Sequence, residues 1–323
     1  MNEFGLIKHY FAKQLVNRKD VLVGIGDDCA LIHPSERQNI AVTTDTLVAG
    51  VHFPHTTSAR ALGHKSVAVS LSDLAAMGAE PSWISLAISL PKIDEAWVHE
   101  FCAGIFELCE FYNVQLIGGD TTQGPLSITI TAQGYTPIDK HITRAGAKAG
   151  DWLYVTGNIG DAALALHYIQ EKVEVEERYR AVLQDQLDFP KPRVLAGQVL
   201  REYASAAIDI SDGLAADLSH ICQASQVGVN LIVDNLPLSE ALLDTLPAEQ
   251  AYQLALTGGD DYELLFTVAE DNKVGMETAL ANTGVPITCI GQLNSSQKIK
   301  TLLNGETVCI DLQGFEHFSL DCI

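Results

Sequence analysis

At 323 residues, with 47% hydrophobic and 19% charged side chains, the chain is too long for one ordinary small domain and too apolar for extended disorder, so two α/β domains are expected. A formal net charge of -21 repels nucleic acid and anionic lipid surfaces, and neither is expected as a partner. Met1 to Phe11 has no long apolar h-region and no run of about 18 apolar residues occurs anywhere, which predicts a protein neither exported nor membrane-spanning.

In chain order, residues 40–48 (IAVTTDTLV) alternate apolar and polar residues as a half-buried strand does. From about Asp94 to Tyr112, Val98, Phe101, Cys102, Ile105, Cys109 and Tyr112 recur at helical spacing on one face, which predicts a helix with both cysteines in the core. Residues 114–118 read as a short buried strand and 126–135 as an alternating one. The stretch 137–151 is rich in Pro, Gly, Ala and charge, lacks periodicity and precedes a fresh strand at Trp152–Thr156, so the domain junction is expected there. A buried strand at 206–210 then leads through a Ser-Asp-Gly turn into a helix over about 213–224, with Leu214, Leu218, Ile221 and Cys222 inside. The seven cysteines, at 29, 102, 109, 222, 289, 309 and 322, are odd in number and form no CxxC pair. Reduced, mostly buried thiols are expected, with no disulfide framework and no zinc site.

Aspartates recur beside glycines or at expected strand ends: Gly26-Asp27-Asp28, Thr43-Thr44-Asp45, Ser72-Asp73, Gly118-Gly119-Asp120, Asp209-Ile210-Ser211-Asp212 and Gly258-Gly259-Asp260-Asp261. Any one of them reads equally as a turn or a helix cap. Six together suggest more, because carboxylates gathered in one cleft raise each other's pKa unless cations are present, and short carboxylates are hard ligands for Mg²⁺. The chain lacks GxxxxGK[ST], the protein-kinase HRD and DFG motifs, HExxH and GxSxG. A nucleotide held here would therefore be neutralised mainly by carboxylate-bound metal, with Arg144 the cation best placed by its turn context. His52 and His55 have no third ligand at metal spacing, and Ser211 sits in an acidic turn that does not favour a nucleophile.

Taken in order, GIGDDCA (24–30), TTDTLVAGVHF (43–53), KSVAVSLSDLAAMGAEP (65–81), LIGGDTTQGP (116–125), TRAGAKAGD (143–151), VTGNIGD (155–161), IDISDGLAADL (208–218), LTGGDDYELLF (256–266) and the closing GFEHF (314–318) resemble the thiamine-monophosphate kinase family. Its wider superfamily includes aminoimidazole ribonucleotide synthetase, selenophosphate synthetase and a hydrogenase-maturation protein. The resemblance implies an α/β (α+β) fold of two domains. The N-terminal one, 1–137, would be a mixed sheet with helices that binds ATP and magnesium and forms the interface of a homodimer. The C-terminal one, 138–323, would be an α/β domain closing the active cleft and completing the nucleotide and substrate sites. The resemblance further implies that Asp28, Thr43 (through its backbone), Thr44, Asp45, Asp73, Asp120, Asp209 and Asp212 hold several Mg²⁺ ions. Gly119, Asp120, Arg144 and Ser211 would bind ATP, and His52, Asp260 and Phe315 would contact thiamine monophosphate, with Asp45, Asp120 and Arg144 at the reacting groups. The family commonly carries Glu where Asp260 stands, and often an aromatic other than Phe at 315.

The activity so implied is that of a cytoplasmic, nucleotide-binding transferase of thiamine diphosphate biosynthesis, a kinase using ATP as co-substrate. A phosphate monoester has its second pKa near 6, so the acceptor oxygen is largely deprotonated at neutral pH and needs no general base. The burden falls on bringing two polyanions together in line, and direct transfer without a phosphoenzyme is expected. The alternatives are another ATP-using member of the superfamily, resembling aminoimidazole ribonucleotide synthetase, or a non-catalytic nucleotide-binding maturation factor.

Overall fold

In the computed structural model, which describes residues 3–310, the chain divides into two units that each carry a sheet: Met1–Leu74 with Ala79–His141, and Ala75–Gly78 with Ile142–Ile323. The first unit contains α1 (Glu3–His9), β1 (Val21–Val23), β2 (Leu31–Ile32), β3 (Gln38–Val48), all but the last two residues of α2 (Ala59–Ala76), β4 (Glu80–Leu90), α3 (Glu95–Tyr112), β5 (Gln115–Gln123) and β6 (Ser127–Pro137). Its four long strands form a mixed sheet in the order β3-β6-β4-β5, antiparallel except for the β4–β5 pair.

The pleat of this sheet separates its side chains into two populations. Ile84, Leu86, Ile88, Ile128 and Ile130 are buried on one face, with Thr43, Asp45 and Leu47 in register beside them. The other face carries Val42, Thr44 and Thr46, all exposed, and threonine hydroxyls pair across it, Thr44 with Thr131 and Thr46 with Thr129, each at 2.9 Å.

α2 is buried almost all round, so it has no polar stripe; the Ser58 hydroxyl caps its start by accepting the Ala61 N–H. α3 begins where the Asp94 carboxylate accepts the Ala96 and Trp97 N–H groups and ends at Asn113 in a left-handed conformation. The two helices come together at Gly63 and Gly104, where any Cβ would collide with the Phe101 and Arg60 carbonyl oxygens. At one corner Trp83, Ile117 and Tyr135 pack with Val21, Ala30 and Ile32. That contact fixes the β1–β2 hairpin, and with it the Gly24–Cys29 loop, to the sheet.

The second unit contains β7 (Trp152–Thr156), α4 (Asp161–Ile169), α5 (Glu177–Asp188), α6 (Val194–Leu200), β8 (Ala204–Asp209), α7 (Leu214–Ser225), β9 (Gly228–Ile232), α8 (Glu240–Thr245), α9 (Ala248–Thr257), β10 (Leu264–Val268), α10 (Lys273–Ala281), β11 (Ile287–Asn294), β12 (Ile299–Leu303) and β13 (Glu306–Val308). Its seven strands run β13-β12-β9-β11-β7-β10-β8, with β9–β12 the parallel pair. Leu153, Val155, Ile208 and Leu265 from the strands pack with Leu164 of α4, Leu214, Leu218 and Ile221 of α7 and Leu254 of α9 in one core. The expected mixed α/β class and the helices near 94–112 and 213–224 are thus borne out.

Two expectations need correction. Two of the six acidic motifs are not at strand ends or turns: Gly118–Asp120 lies within β5 and Ser72–Asp73 within α2, whereas Thr43–Asp45 lies in β3, inside the strand expected at 40–48. Gly119 sits in a strand interior because β5 there presses so closely on β4 that any Cβ would collide with the Leu86 carbonyl oxygen, at a φ of 149°. The thiols are less buried than expected. All six described cysteines are free, but only Cys102, Cys109 and Cys222 are buried, Cys289 is half-buried, and Cys29 and Cys309 are exposed; Cys322 lies outside the described residues. Exposure follows from their positions, Cys29 in the hairpin loop and Cys309 just past the last strand. No helix among the described residues is long and apolar enough to cross a membrane.

Candidate active site

Asp45 and Asp73 are 28 positions apart, but β3 and α2 bring their side chains into one polar cluster within the first unit. The Ser70 hydroxyl, one helical turn before Asp73, donates to Asp45 Oδ2 at 2.8 Å, and the Thr43 hydroxyl donates to Asp73 Oδ2. Burial first, and the neighbouring Asp73 charge second, push the Asp45 carboxyl up to about 6, against the single opposing hydrogen bond from Ser70. Two neighbouring carboxylates flanked by hydroxyl oxygens form a hard-oxygen donor set. That chemistry fits Mg²⁺, which is commonly bound by one or two carboxylates together with substrate phosphates. Among the described residues no three or more His, Cys, Asp or Glu side chains are grouped as a metal site.

The other residues singled out in this unit are placed differently. Asp28 is exposed in the β1–β2 hairpin loop, its N–H donating to Asp27 Oδ1 at 2.9 Å. Thr44 and Asp120 are exposed, and Asp120 pairs with Ala87 and Ala87 with Thr129, in the row that carries Thr46. They therefore occupy the face of the sheet opposite Thr43 and Asp45, with β3 and β5 at its two edges. His52 stands in the turn after β3, where its Nδ1 accepts the Val48 N–H at 3.0 Å. The proton of the neutral ring is then on Nε2.

In the second unit the sequence Asp209-Ile210-Ser211-Asp212-Gly213 leaves β8 and enters α7. Asp209 is buried at the strand end. The next two residues are organised by Asp217, whose Oδ2 accepts the Ser211 N–H at 3.1 Å and the Asp212 N–H at 3.2 Å. Burial, and then the Asp212 charge, hold the Asp217 carboxyl up at about 7, although backbone hydrogen bonds pull the other way. Beside this turn runs the Gly258–Tyr262 loop. The Asp260 N–H donates to the Ser211 carbonyl and the Tyr262 N–H to the Ile210 carbonyl, both at 2.9 Å, while the Ile210 N–H donates to the Glu263 carbonyl at 2.8 Å. Asp260, assigned to the substrate, and Ser211, assigned to the nucleotide, thus lie on adjoining backbone segments.

Two buried carboxylates support that loop. Both oxygens of Asp261 accept the Gly160 N–H, at 3.0 and 2.9 Å, and burial holds its carboxyl well above the ordinary carboxylate range, with Asp161, Glu263 and Asp260 adding to the rise. Glu263 accepts from the Arg193 guanidinium through Nε at 2.6 Å and from the Thr156 hydroxyl at 2.5 Å. Arg144 is exposed in a bend whose backbone is pinned from α7, the Ser225 hydroxyl donating to the Arg144 carbonyl at 3.1 Å and accepting the Gly146 N–H at 3.2 Å. Phe315 lies outside the described residues.

Sequence reasoning passed over Ser70, Asp217, Tyr262 and the Arg193–Glu263 pair. Asp217 had a usable signal, since an acid within the first turn of a helix after Ser-Asp-Gly can reach back to the open N–H groups of the turn. Ser70 had one only after α2 was assigned as a helix.

Against known proteins, residues 26–136 match the family described as AIR synthase related protein, N-terminal domain, and residues 148–304 match its C-terminal domain. The chain is 48% identical over 320 residues to the thiamine-monophosphate kinase of Escherichia coli (strain K12), covering 98% of each, and 44% identical over 322 residues to that of Haemophilus influenzae, again covering 98% of each. Among solved structures it is similar to the thiamine-monophosphate kinase of Stenotrophomonas maltophilia K279a, with 42% identity, a TM-score of 0.87 and coverage of 95% of this chain and 98% of that one. A structure described as AaThiL complexed with AMPPCP and TMP matches at 31% identity and TM-score 0.77, covering 98% and 97%. E. coli HypE, a hydrogenase maturation protein, shares the fold at 19% identity and TM-score 0.77, covering 98% of each.

Proposed function

This chain belongs to the thiamine-monophosphate kinase family, and from that premise we propose that it moves the γ-phosphoryl group of ATP directly onto thiamine monophosphate, giving thiamine diphosphate and ADP. The observation that carries the reading is likeness to that kinase along the full length of both chains, far above the likeness to the maturation protein that shares only the fold. A relative's complex with AMPPCP, an ATP analogue, and TMP supports both substrates.

Mechanistically the central task is electrostatic. Two unit charges 4 Å apart repel by about 4 kcal/mol at an effective dielectric of 20, and ATP facing a phosphate monoester presents several such pairs. Mg²⁺, when bound, would supply the neutralising positive charge. Asp45 and Asp73 with Thr43 would form one binding group for it in the first unit, while Thr44 and Asp120, on the opposite face of the sheet, and Asp28 in the hairpin loop would supply ligands apart from that group. Asp209 and Asp212 serve in the second. Gly119, Asp120, Ser211 and Arg144 hold the nucleotide, the exposed Arg144 side chain lending positive charge from a backbone pinned by Ser225. His52, Asp260 and Phe315 take thiamine monophosphate. His52 Nδ1 is already an acceptor for a backbone N–H, which suits a binding role and leaves the acceptor phosphate to act without a protein base. The working form is a cytoplasmic homodimer built through the N-terminal domain.

The test is a product assay with purified protein, ATP and Mg²⁺, offering thiamine monophosphate, thiamine and aminoimidazole ribonucleotide precursors in parallel. Thiamine diphosphate and ADP in equal amounts, from the monophosphate alone, is the expected result. ATP consumption with an aminoimidazole precursor and none with thiamine monophosphate would overturn it.

A further inference from the structure

Asp260 and Tyr262 hold the backbone in the left-handed region, at φ of 70° and 50°, although neither is glycine. Such conformations cost free energy and persist where surrounding contacts over-determine them. Here those contacts are visible. The N–H groups of both residues are bonded to the Ile210–Ser211 segment, and Asp261 between them is tied to Gly160. The result is a three-residue kink that turns the Tyr262 side chain back onto Asp260, the phenol donating to Asp260 Oδ1 at 2.9 Å. The Tyr262 residue is only 7% exposed, so the hydroxyl is delivered from the protein interior by a ring whose packing leaves it few alternatives.

We propose that Tyr262 is a positioning residue for the phosphoryl acceptor: its hydroxyl sets the direction of the Asp260 carboxylate, so that the second carboxylate oxygen meets the thiamine portion of thiamine monophosphate. The proposal rests on the kinase reading and on the assignment of Asp260 to the substrate. The physical logic is that of a short acidic side chain with two rotatable bonds, which a neutral donor on one oxygen holds in one rotamer while preserving the charge. Thiamine carries a cationic thiazolium and an amino group on its pyrimidine, both of which favour a carboxylate held in place.

The experiment compares wild type, Tyr262→Phe, Asp260→Asn and the double variant by steady-state kinetics, with the KM for ATP as an internal control on the fold. Tyr262→Phe removes one oxygen and keeps the ring, and is expected to raise the KM for thiamine monophosphate about tenfold, the order of a lost hydrogen bond to a charged group. The KM for ATP should stay within about twofold. Asp260→Asn should raise the same KM at least as far, and adding Tyr262→Phe to it should do little more, because the phenol acts through the carboxylate. An unchanged KM in Tyr262→Phe, an Asp260→Asn variant that binds the acceptor normally, or a full further loss in the double variant would each overturn the proposal. A wild-type enzyme that does not use thiamine monophosphate would overturn the underlying kinase reading; wild-type turnover with an indifferent Tyr262→Phe would sink only the inference.

Discussion

Replacing Asp73 by Asn in the Asp45–Asp73 pair tests whether the two carboxylates form a cation receptor. Lifting the Asp45 carboxyl from 3.8 to about 6 corresponds to a native-state preference for the protonated form of about 3 kcal/mol, at 1.36 kcal/mol per pH unit. Because the folded value lies above the unfolded one, the group's stability contribution is complete below about pH 4, declines as the pH rises through about 6, and is absent above that. Burial is the larger cause and survives the substitution, so Asp73→Asn should recover about 1 kcal/mol of the loss. Urea unfolding in the presence of a chelator, at pH 4.5 and 7.5, measures this directly, and groups that titrate alike in both proteins cancel in the difference. The variant should lose about 1 kcal/mol less stability than wild type between the two pH values. At pH 7.5 millimolar Mg²⁺ should stabilise wild type and stabilise the variant markedly less, by the mass-action linkage of a ligand that binds only the folded state. Parallel pH dependences, or equal stabilisation by Mg²⁺, would refute the idea that these two side chains share charge and metal.

Gly104→Ala forces a methyl group into the Arg60 carbonyl oxygen at the α2–α3 contact, and should destabilise by about 3 kcal/mol or more. Gly118→Ala, at a site with open space around the added carbon, is the control, and thermal denaturation should separate the two by several degrees. Removing one partner of the Arg193–Glu263 pair, whose side chains are 20% and 7% exposed, strands a buried charge; Arg193→Met should cost about 3–5 kcal/mol. The Arg193→Met, Glu263→Gln double variant should be more stable than the sum of its single variants predicts, read by urea titration.

Periodicity made part of the fold legible and hid the rest. The stripe of Val98, Phe101, Cys102, Ile105 and Cys109 marked α3 to within a residue or so of its observed limits, Glu95–Tyr112, because that helix is buried on one side only. α2 shows no such stripe, since it is covered almost all round and its apolar residues follow no helical period. With α2 unassigned, Ser72-Asp73 passed for a turn, and nothing connected Ser70 to Asp45. Gly118-Gly119-Asp120 was misread for a different reason: paired glycines usually signal a turn, whereas here Gly119 permits the close approach of two strands. Residue types at the candidate site were legible from their order along the chain. Their orientations were not, because whether an aspartate on a strand faces the helices or the open side depends on register. The Tyr262–Asp260 bond depends further on two left-handed residues that no local preference announces.

The division of β3 into two faces limits how this protein can vary. Inserting or deleting one residue between Thr43 and Leu47 would exchange the roles of every neighbour: Asp45 would be turned away from Ser70 and Asp73, and Thr44 or Thr46 driven into the apolar interior. Length drift is therefore tolerable in the turns that bracket the strand and prohibited within it, and homologous replacements along this stretch should be substitutions only.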